Sequence, residues 1–183
     1  MIGEAPSAWV IRWAAHRVAG SSALDVACGN GRHTRWLAAR GYQVTALDRD
    51  PNCAHALEGL PNIRFIAADL EADGWPLADA QFDAILVTNY LHRPLFPALK
   101  SALGPGGLLI YETFAVGNAA FGKPSNPDYL LRPCELLDSF GTDMRVLAFE
   151  DGFIAQPKPA MVQRIAVRNV DPAAPLAAER CHL

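Results

Sequence analysis

The sequence predicts an α/β fold with a doubly wound, mainly parallel seven-stranded sheet that ends in a C-terminal antiparallel hairpin. Short apolar segments alternate with helical segments up to residue 114, which is typical of a parallel sheet covered by helices on both faces. Two longer β-type segments follow towards the C-terminal end. The segment "IAQPKPA" between them is too short for a crossover helix, so we expect these two strands to pair antiparallel.

Each element has a local signal. The predicted strands are, in order, ALDVAC, YQVTALD, IRFIAAD, FDAILVTN, LLIYETF, MRVLAFEDGF and AMVQRIAVRNV. The first predicted helix covers residues 6–19, with Pro6 and Ser7 near its start and Gly20 just past its end. The other predicted helices are RHTRWLAAR, PNCAHALEG, PLFPALKSAL and PCELLDSF, of which the first is followed by Gly41 and the second begins at Pro51.

The length of 183 residues and the apolar content of 51% suit one domain with a sizeable core. We expect this domain to cover residues 1–170, with an N-terminal helix within residues 1–20. Residues 171–183 are expected to form a flexible tail. Residues 116–132, "VGNAAFGKPSNPDYLLR", are rich in Gly, Pro and Asn and long for a structureless connection, so we predict a lid loop there. The alternative is a surface loop whose cations are solvated.

Composition argues against several classes of function. The formal net charge is −3 and the basic residues are scattered, so a nucleic-acid partner is not expected. No apolar run approaches the roughly 20 residues of a membrane span. The four cysteines form no CxxC pair, so we expect neither a metal site nor disulfides, and reduced thiols indicate a cytoplasmic protein. The oligomeric state stays open.

A Gly-rich turn follows the first strand, in the run "ALDVACGNGRHT". Ala27, Gly29 and Gly31 recur on a two-residue period, which lets the backbone turn tightly and approach a ligand. Asp48 ends the second strand and Asp69 ends the third. A carboxylate at the end of the second strand can accept hydrogen bonds from the two hydroxyls of a ribose. A carboxylate at the end of the third strand can accept one from an adenine amino group. The pair therefore predicts a nucleoside ligand.

Two nucleoside cofactors fit such a pair, a dinucleotide and S-adenosylmethionine. A dinucleotide site requires G-x-G-x-x-G, whose third glycine permits close packing of the following helix. The run here is A-C-G-N-G-R-H-T, and that spacing fails. S-adenosylmethionine, which has a carboxylate and an amine in place of the pyrophosphate, is the expected cofactor.

These motifs, taken together, resemble those of the class I S-adenosylmethionine-dependent methyltransferases over about residues 20–169. The resemblance rests on LDVACGNGRHTRWLAARGYQV, ALDRD, AADLE and LGPGGLLIYETF, which follow one another at the expected spacings. Within the family, the chain is most similar to the small tellurite-resistance and thiopurine-type methyltransferases. The resemblance implies their Rossmann-like fold. Ala27 departs from the usual first glycine, and we expect it to be tolerated with a negative φ.

The resemblance also implies a role for each matching residue. The residues expected at the cofactor are Asp25, Ala27, Gly29, Gly31, Arg32, Asp48, Arg49, Asp69, Leu70 and Asn89. Gly29, Gly31 and Arg32 would surround the methionine moiety, and Asp25 would support the turn. Arg49 would flank the adenine, and Asp69 with Leu70 would read its edge. For Asp25 and Asp69 the alternative is a structural cap or turn.

The acceptor side is expected at the ends of the fourth and fifth strands. The loop "TNYLHRP" lacks the Asn- or Asp-Pro-Pro-aromatic run of enzymes that methylate exocyclic amines of bases. His92 has a reference pKa that suits a general base, with helix entry before Pro94 as its alternative role. Tyr90 either takes part in the chemistry or packs on the methionine chain. Glu112 would hold a cationic acceptor or act as a base.

Three further residues are predicted to contact the acceptor. Tyr111 lies on the strand beside Glu112, with a place in the core as its alternative. Tyr129 anchors the lid, and Arg132 at its end would hold an acidic acceptor together with Lys123. The expected function is methyl transfer to a small molecule. The alternatives are a methyltransferase for protein or RNA that needs a partner subunit, and a cofactor-binding module without catalysis.

Overall fold

The computed structural model describes residues 5–15 and 19–170 and places all seven predicted strands in one sheet. The strands are β1 Ser22–Val26, β2 Gln43–Asp48, β3 Ile63–Ala67, β4 Phe82–Thr88, β5 Leu103–Phe114, β6 Arg145–Ile154 and β7 Ala160–Arg168. Their order across the sheet is β3-β2-β1-β4-β5-β7-β6. β1 to β5 pair in parallel, whereas β7 pairs antiparallel with both β5 and β6. The predicted fold class is thus confirmed.

The helices are shorter than the sequence predicts. The α-helices are α1 Ala8–Ala14, α2 Arg32–Ala38, α3 Phe96–Ser101 and α4 Glu135–Phe140. The predicted helix after β2 is a 3₁₀ helix, Pro51–Leu57, whose N-cap Asp50 accepts a hydrogen bond from the Asn52 amide. Within the described part of the chain, no helix is long and apolar enough to cross a membrane. The tail predicted for residues 171–183 lies outside the described residues.

Strand alternation sends side chains to two apolar layers, one on each face of the sheet. On β4, Ala84 and Leu86 join the layer that contains Trp9 and Trp13 of α1 and Leu37 of α2. The intervening Ile85 and Val87 of the same strand join the layer built with Leu99 of α3 and Phe140 of α4. A strand buried on both faces must be apolar throughout, which explains the continuous run "AILV" in this central strand.

The strand order reverses at β1, which lies between β2 on one side and β4 on the other. Connections to opposite sides of the sheet diverge at such a point and leave a crevice at the carboxyl ends of the strands. The turn after β1, Asp48, and the loop after β4 all lie at this edge. The topology therefore brings the predicted site residues together.

Residues 116–132 form a closed loop with its own hydrogen bonds. At its two ends, the amide of Val116 donates to the carbonyl of Leu131, and the amide of Leu131 donates to the carbonyl of Phe114. Inside it lie two 3₁₀ turns, Asn118–Ala120 and Pro127–Tyr129. The loop is ordered by these contacts.

One guanidinium anchors this loop to α4. The Arg93 Nη1 and Nη2 atoms donate to the carbonyls of Asp128 and Leu130 at 2.8 and 2.9 Å. The same guanidinium forms two hydrogen bonds of 2.6 and 2.9 Å to the carboxylate of Glu135. Burial opposes ionisation of Glu135, but the hydrogen bonds from Arg93 and Arg132 outweigh it and lower its pKa to about 2.

We predict that Glu135→Gln destabilises the protein by about 2 kcal/mol at pH 7, because it leaves a partly buried guanidinium without its charged partner. A carboxylate whose folded-state pKa is lowered contributes stability above its unfolded pKa, and this contribution is lost as the pH falls towards 2. Urea unfolding of both proteins at pH 7 and pH 3 should therefore show a smaller difference at pH 3. The exposed Glu58→Gln is the control, and an equal effect of both substitutions would contradict the prediction.

Candidate functional site

A first cavity of about 530 Å³ opens at the carboxyl ends of the parallel strands. It is lined by Ala27, Asp48, Arg49, Ala68, Asp69, Leu70, Glu71, Asn89, Tyr90, Leu91, Thr113, Phe114, Pro124 and Tyr129. Seven of the residues predicted at the cofactor or in catalysis are in this set. They come from β1, β2, β3 and β4, so the cavity crosses the point where the strand order reverses.

The turn after β1 is built from left-handed residues. Ala27, Gly29 and Gly31 have φ values of +55°, +54° and +74°. The expectation of a negative φ at Ala27 is wrong, because the chain must leave β1 sharply to clear the cavity. At Gly31, a Cβ atom would lie 2.4 Å from Cδ2 of Leu57. Glycine is favoured there by the left-handed φ, and a larger residue would also displace the Leu57 side chain of the 3₁₀ helix Pro51–Leu57.

Asp48 connects the end of β2 to this turn. Its Oδ2 accepts a hydrogen bond of 2.8 Å from the Gly29 amide, and its Oδ1 accepts one of 3.0 Å from the Asp50 amide. A carboxylate oxygen can accept more than one hydrogen bond. Both oxygens of Asp48 can therefore accept a further hydrogen bond from a ligand in the cavity that Asp48 lines. The geometry fits two neighbouring hydroxyl groups.

Asp69, Leu70 and Arg49 also line the first cavity. The Oδ1 atom of Asp69 accepts hydrogen bonds from the amides of Glu71 and Ala72 at 3.0 and 3.2 Å. Asp69 thus serves as the structural cap that the sequence left open as its alternative, and it also faces the cavity. A planar base with an amino group fits beside these residues.

A second cavity, of about 760 Å³, adjoins the first. Asn89 and Phe114 line both. The other residues of its wall include Ser7, Arg32, Glu112, Phe121, Lys123, Ile154, Lys158, Val162 and Arg164. They belong to the N-terminal segment, to α2, to β5, to the loop of residues 116–132 and to the β6–β7 hairpin. Arg32, predicted at the methionine moiety, faces this second cavity.

Glu112 lies in the wall of the second cavity and is not a free base. Its Oε2 lies 2.6 Å from Nε of Arg164 and accepts a hydrogen bond of 3.1 Å from the Ser7 hydroxyl. Arg164 also lies 3.2 Å from the Glu150 carboxylate. The charge of Glu112 is therefore balanced within the protein, whereas the sequence predicted that it would bind a cationic acceptor or a proton.

His33, at the start of α2, is a buried histidine that the sequence analysis did not single out. Its Nε2 accepts a hydrogen bond of 3.0 Å from the Ser7 amide, so the ring proton is on Nδ1, which lies 3.3 Å from the Thr88 hydroxyl. Burial and the charge of Arg32 lower the pKa of His33 to about 4. The neutral ring joins the N-terminal segment to the end of β4.

Besides Gly29 and Gly31 of the turn, which line neither cavity, the structure places four predicted site residues away from both cavities. Tyr111 is fully buried beside Phe96 and Phe140, and its hydroxyl donates to the Tyr90 carbonyl, so its alternative place in the core is correct. His92 precedes the 3₁₀ turn Arg93–Leu95 and lines neither cavity, as expected of a helix-entry residue.

Asp25 and Arg132 are the other two. Asp25 is completely buried under the turn and accepts a hydrogen bond of 2.6 Å from the Thr34 hydroxyl, so it supports the turn without reaching a ligand. Burial raises its pKa to about 6. The Arg132 side chain is 74% exposed and pairs with Glu135, because the loop turns it outward, away from the second cavity.

Several wall residues have weak sequence signals. Ser7 reads only as a helix cap, and in the structure its hydroxyl accepts from the Trp9 amide as well as donating to Glu112. Lys158 lies between two prolines in "QPKPA", a pattern that indicates a turn and nothing about a cavity. Arg164 lies on β7 and pairs with a residue 52 positions earlier in the chain, a contact that only the sheet register creates.

We predict that Ala27→Gly leaves the free energy of unfolding unchanged or raises it by up to about 1 kcal/mol. The substitution removes a Cβ atom from a left-handed residue, which offsets the added entropy of the unfolded chain. Ala23→Gly, on the same segment but within buried β1, is the control and should lose about 1 kcal/mol or more. Equal losses in urea unfolding of the two variants would contradict the strain at Ala27.

We predict that the stability difference between the parent protein and His33→Gln decreases as the pH falls from 7 to 4. A histidine whose folded-state pKa is lowered to about 4 binds fewer protons than in the unfolded chain, so its contribution to stability declines between pH 6.5 and pH 4. The expected decrease is on the order of 2 kcal/mol. The exposed His55→Gln is the matched control, and a pH-independent difference for His33→Gln would refute the buried neutral ring.

Known proteins share both the motifs and the fold of this chain. A family model for the methyltransferase domain matches residues 23–107. Malonyl-[acyl-carrier protein] O-methyltransferase of Pseudescherichia vulneris is 36% identical over 105 residues, which cover 54% of this chain and 41% of that protein. Trans-aconitate 2-methyltransferase of Paracidovorax citrulli is 35% identical over 103 residues, covering 51% of this chain and 39% of that protein.

The structural comparison extends over most of the chain, whereas the matches to the two curated relatives cover less than half of their length. The crystal structure of TehB from Haemophilus influenzae superposes with a TM-score of 0.71 at 21% identity, covering 86% of this chain and 60% of that one. The sheet order and the Gly-rich turn agree with this likeness in fold. Residues 23–107 are thus similar to a methyltransferase domain, and the fold of the chain is similar to that of TehB.

Proposed function

We propose that this chain is an S-adenosylmethionine-dependent methyltransferase that transfers a methyl group to a small-molecule acceptor. The observation that carries the proposal is the pair of cavities that meet at Asn89 and Phe114. One has the donors and acceptors that a nucleoside needs, and the other has the volume of a small-molecule site. Transfer between two molecules requires such adjoining sites.

The residues of the first cavity fit the cofactor. Asp48 would accept the ribose hydroxyls, and Asp69 and Leu70 would bind the adenine edge, with Arg49 beside the ring. Asn89 has a φ of +55°, which turns the chain away from the end of β4 and leaves space between the two cavities. Tyr90 follows it on the first cavity's wall, where its ring would pack on the methionine chain.

The bound cofactor would supply an activated methyl group on a sulfonium. The chain's part is to orient the acceptor and to exclude water, and orientation contributes on the order of 7–11 kcal/mol at best. Among the described residues that line the second cavity, Glu112 is the single acid, and Arg164 neutralises it. This wall suits an acceptor atom that does not need a strong base.

The loop of residues 116–132 would cover both sites. Pro124 and Tyr129 line the first cavity, whereas Phe121 and Lys123 line the second. Its closing over a bound acceptor is part of this proposal, and hydrogen exchange in the loop should slow when both ligands are present. The cytoplasmic location and the absence of a nucleic-acid partner stay predictions from the sequence.

We predict that Asp48→Ala weakens S-adenosylhomocysteine binding by about 1.5–3 kcal/mol, the range for hydrogen bonds to a charged group. Titration calorimetry measures this, with Asp79→Ala as the control because Asp79 is exposed and lines neither cavity. The parent protein should bind S-adenosylhomocysteine and not NAD. Unchanged affinity in Asp48→Ala would place the ribose elsewhere, and tighter binding of NAD would refute the cofactor.

Release of S-adenosylhomocysteine across a panel of small acceptors tests catalysis itself. Turnover with a purified small molecule supports the proposal. Turnover that appears only with a protein or RNA fraction would favour a macromolecular substrate that needs a partner. Cofactor binding without turnover on either class of acceptor would favour a binding module.

A further inference from the structure

We propose that the acceptor is a small organic anion whose acidic group is bound by Lys123 and Lys158 across the mouth of the second cavity. This inference rests on the proposed function, because it names the chemical class of the molecule that would occupy that cavity. It differs from the expectation of the sequence, in which Arg132 and Lys123 would hold the acidic group.

The walls of the second cavity have an excess of positive charge. Arg32, Lys123, Lys158 and Arg164 line it, against the single carboxylate of Glu112. Glu112 and Arg164 form an ion pair at 2.6 Å, so the two lysines carry positive charge that no acid of this wall balances. The whole chain has a formal net charge of −3, so this positive region is a local property of the cavity.

The two lysines come from different elements that pack together. Lys123 lies in the loop of residues 116–132, and Lys158 lies in the turn between β6 and β7. The rings of Phe121 and Phe153 contact each other at 5.1 Å between centroids and join the loop to the hairpin. The Met161 amide also donates to Asn118 Oδ1, so the hairpin holds the loop at a second point.

Neither lysine forms an ion pair with an acid in residues 5–15 and 19–170, whereas Lys100, on α3, pairs with Asp143. Lys123 and Lys158 are both exposed at the cavity wall, where their ammonium groups keep their hydration until a ligand enters. Two ammonium groups in one wall repel each other. An anion bound between them would be attracted to both and would offset this repulsion.

The remaining wall determines the rest of the ligand. Phe114, Ile154 and Val162 provide an apolar surface for a carbon skeleton. A cationic acceptor would meet the two lysines with no carboxylate of the wall left to bind it, since Glu112 is already paired. The cavity therefore selects against amines and for acids by repulsion as well as by attraction.

The test uses the full chain saturated with S-adenosylhomocysteine and matched pairs of probes. Benzoate, phenyl phosphate, glutarate and citrate are titrated against benzamide, phenol, glutaramide and triethyl citrate. We expect at least one anion to bind at least tenfold more tightly than its neutral partner. Lys123→Met and Lys158→Met should each weaken that binding by about tenfold or more, as for a charge-assisted hydrogen bond. Lys100→Met, outside both cavities, should leave the affinity unchanged.

S-adenosylhomocysteine affinity is measured in every variant and reports on folding and on the first cavity. If the parent protein fails to bind S-adenosylhomocysteine, the proposed function fails. If it binds S-adenosylhomocysteine but no anion more tightly than its neutral partner, the acidic acceptor is refuted while the proposed function stands. Anion binding that is the same in Lys123→Met, Lys158→Met and the parent would likewise overturn the assignment of these two lysines.

Discussion

The position of β1 between β2 and β4 is the constraint on which the rest of this structure depends. Parallel pairing on both sides brings the carboxyl ends of all three strands to one edge and forces the following segments to diverge. Everything that forms the first cavity follows one of the parallel strands or comes from the loop beyond β5. The topology thus determines which residues line the cavity, since residues far apart in the chain lie close together only because their strands end at the same edge.

Backbone strain at this edge has a common form. Ala27 directly follows β1 and Asn89 directly follows β4, and both have a φ of +55°. A left-handed conformation costs a non-glycine residue about 1–2 kcal/mol, so the surrounding structure must hold both in place. The hydrogen bonds from the Asn89 amide to the Glu112 carbonyl and from the Cys28 amide to the Leu47 carbonyl do so. The two turns open the space between the neighbouring strands.

Several buried ionisable groups near the site have a local partner, whereas Oδ1 of the buried Asp25 has no hydrogen-bond partner among the described residues. Glu112 pairs with Arg164, Glu135 pairs with Arg93, and His33 is kept neutral between Ser7 and Thr88. Burial of an unpaired charge is costly, so these partners are required for the fold. In the proposed function, the preference of the second cavity for anions would depend on Lys123 and Lys158, because Glu112 is already paired with Arg164.

The sequence by itself predicted the strands, their parallel or antiparallel directions and the residues expected at the cofactor. Strand periodicity, the glycines at 29 and 31, and the aspartates that end β2 and β3 are local signals, because each follows from the conformation of a few consecutive residues. The tertiary structure decided the acceptor side. Tyr111 lies in the core and Arg132 points outward to Glu135, although the sequence predicted both at the acceptor. Lys158 and Arg164, which the sequence did not predict there, line the second cavity. The placements of Lys158 and Arg164 depend on the register of the β5–β7–β6 pairing and on how the loop packs on the hairpin, and no local pattern specifies a contact such as that of Glu112 with Arg164, 52 positions away.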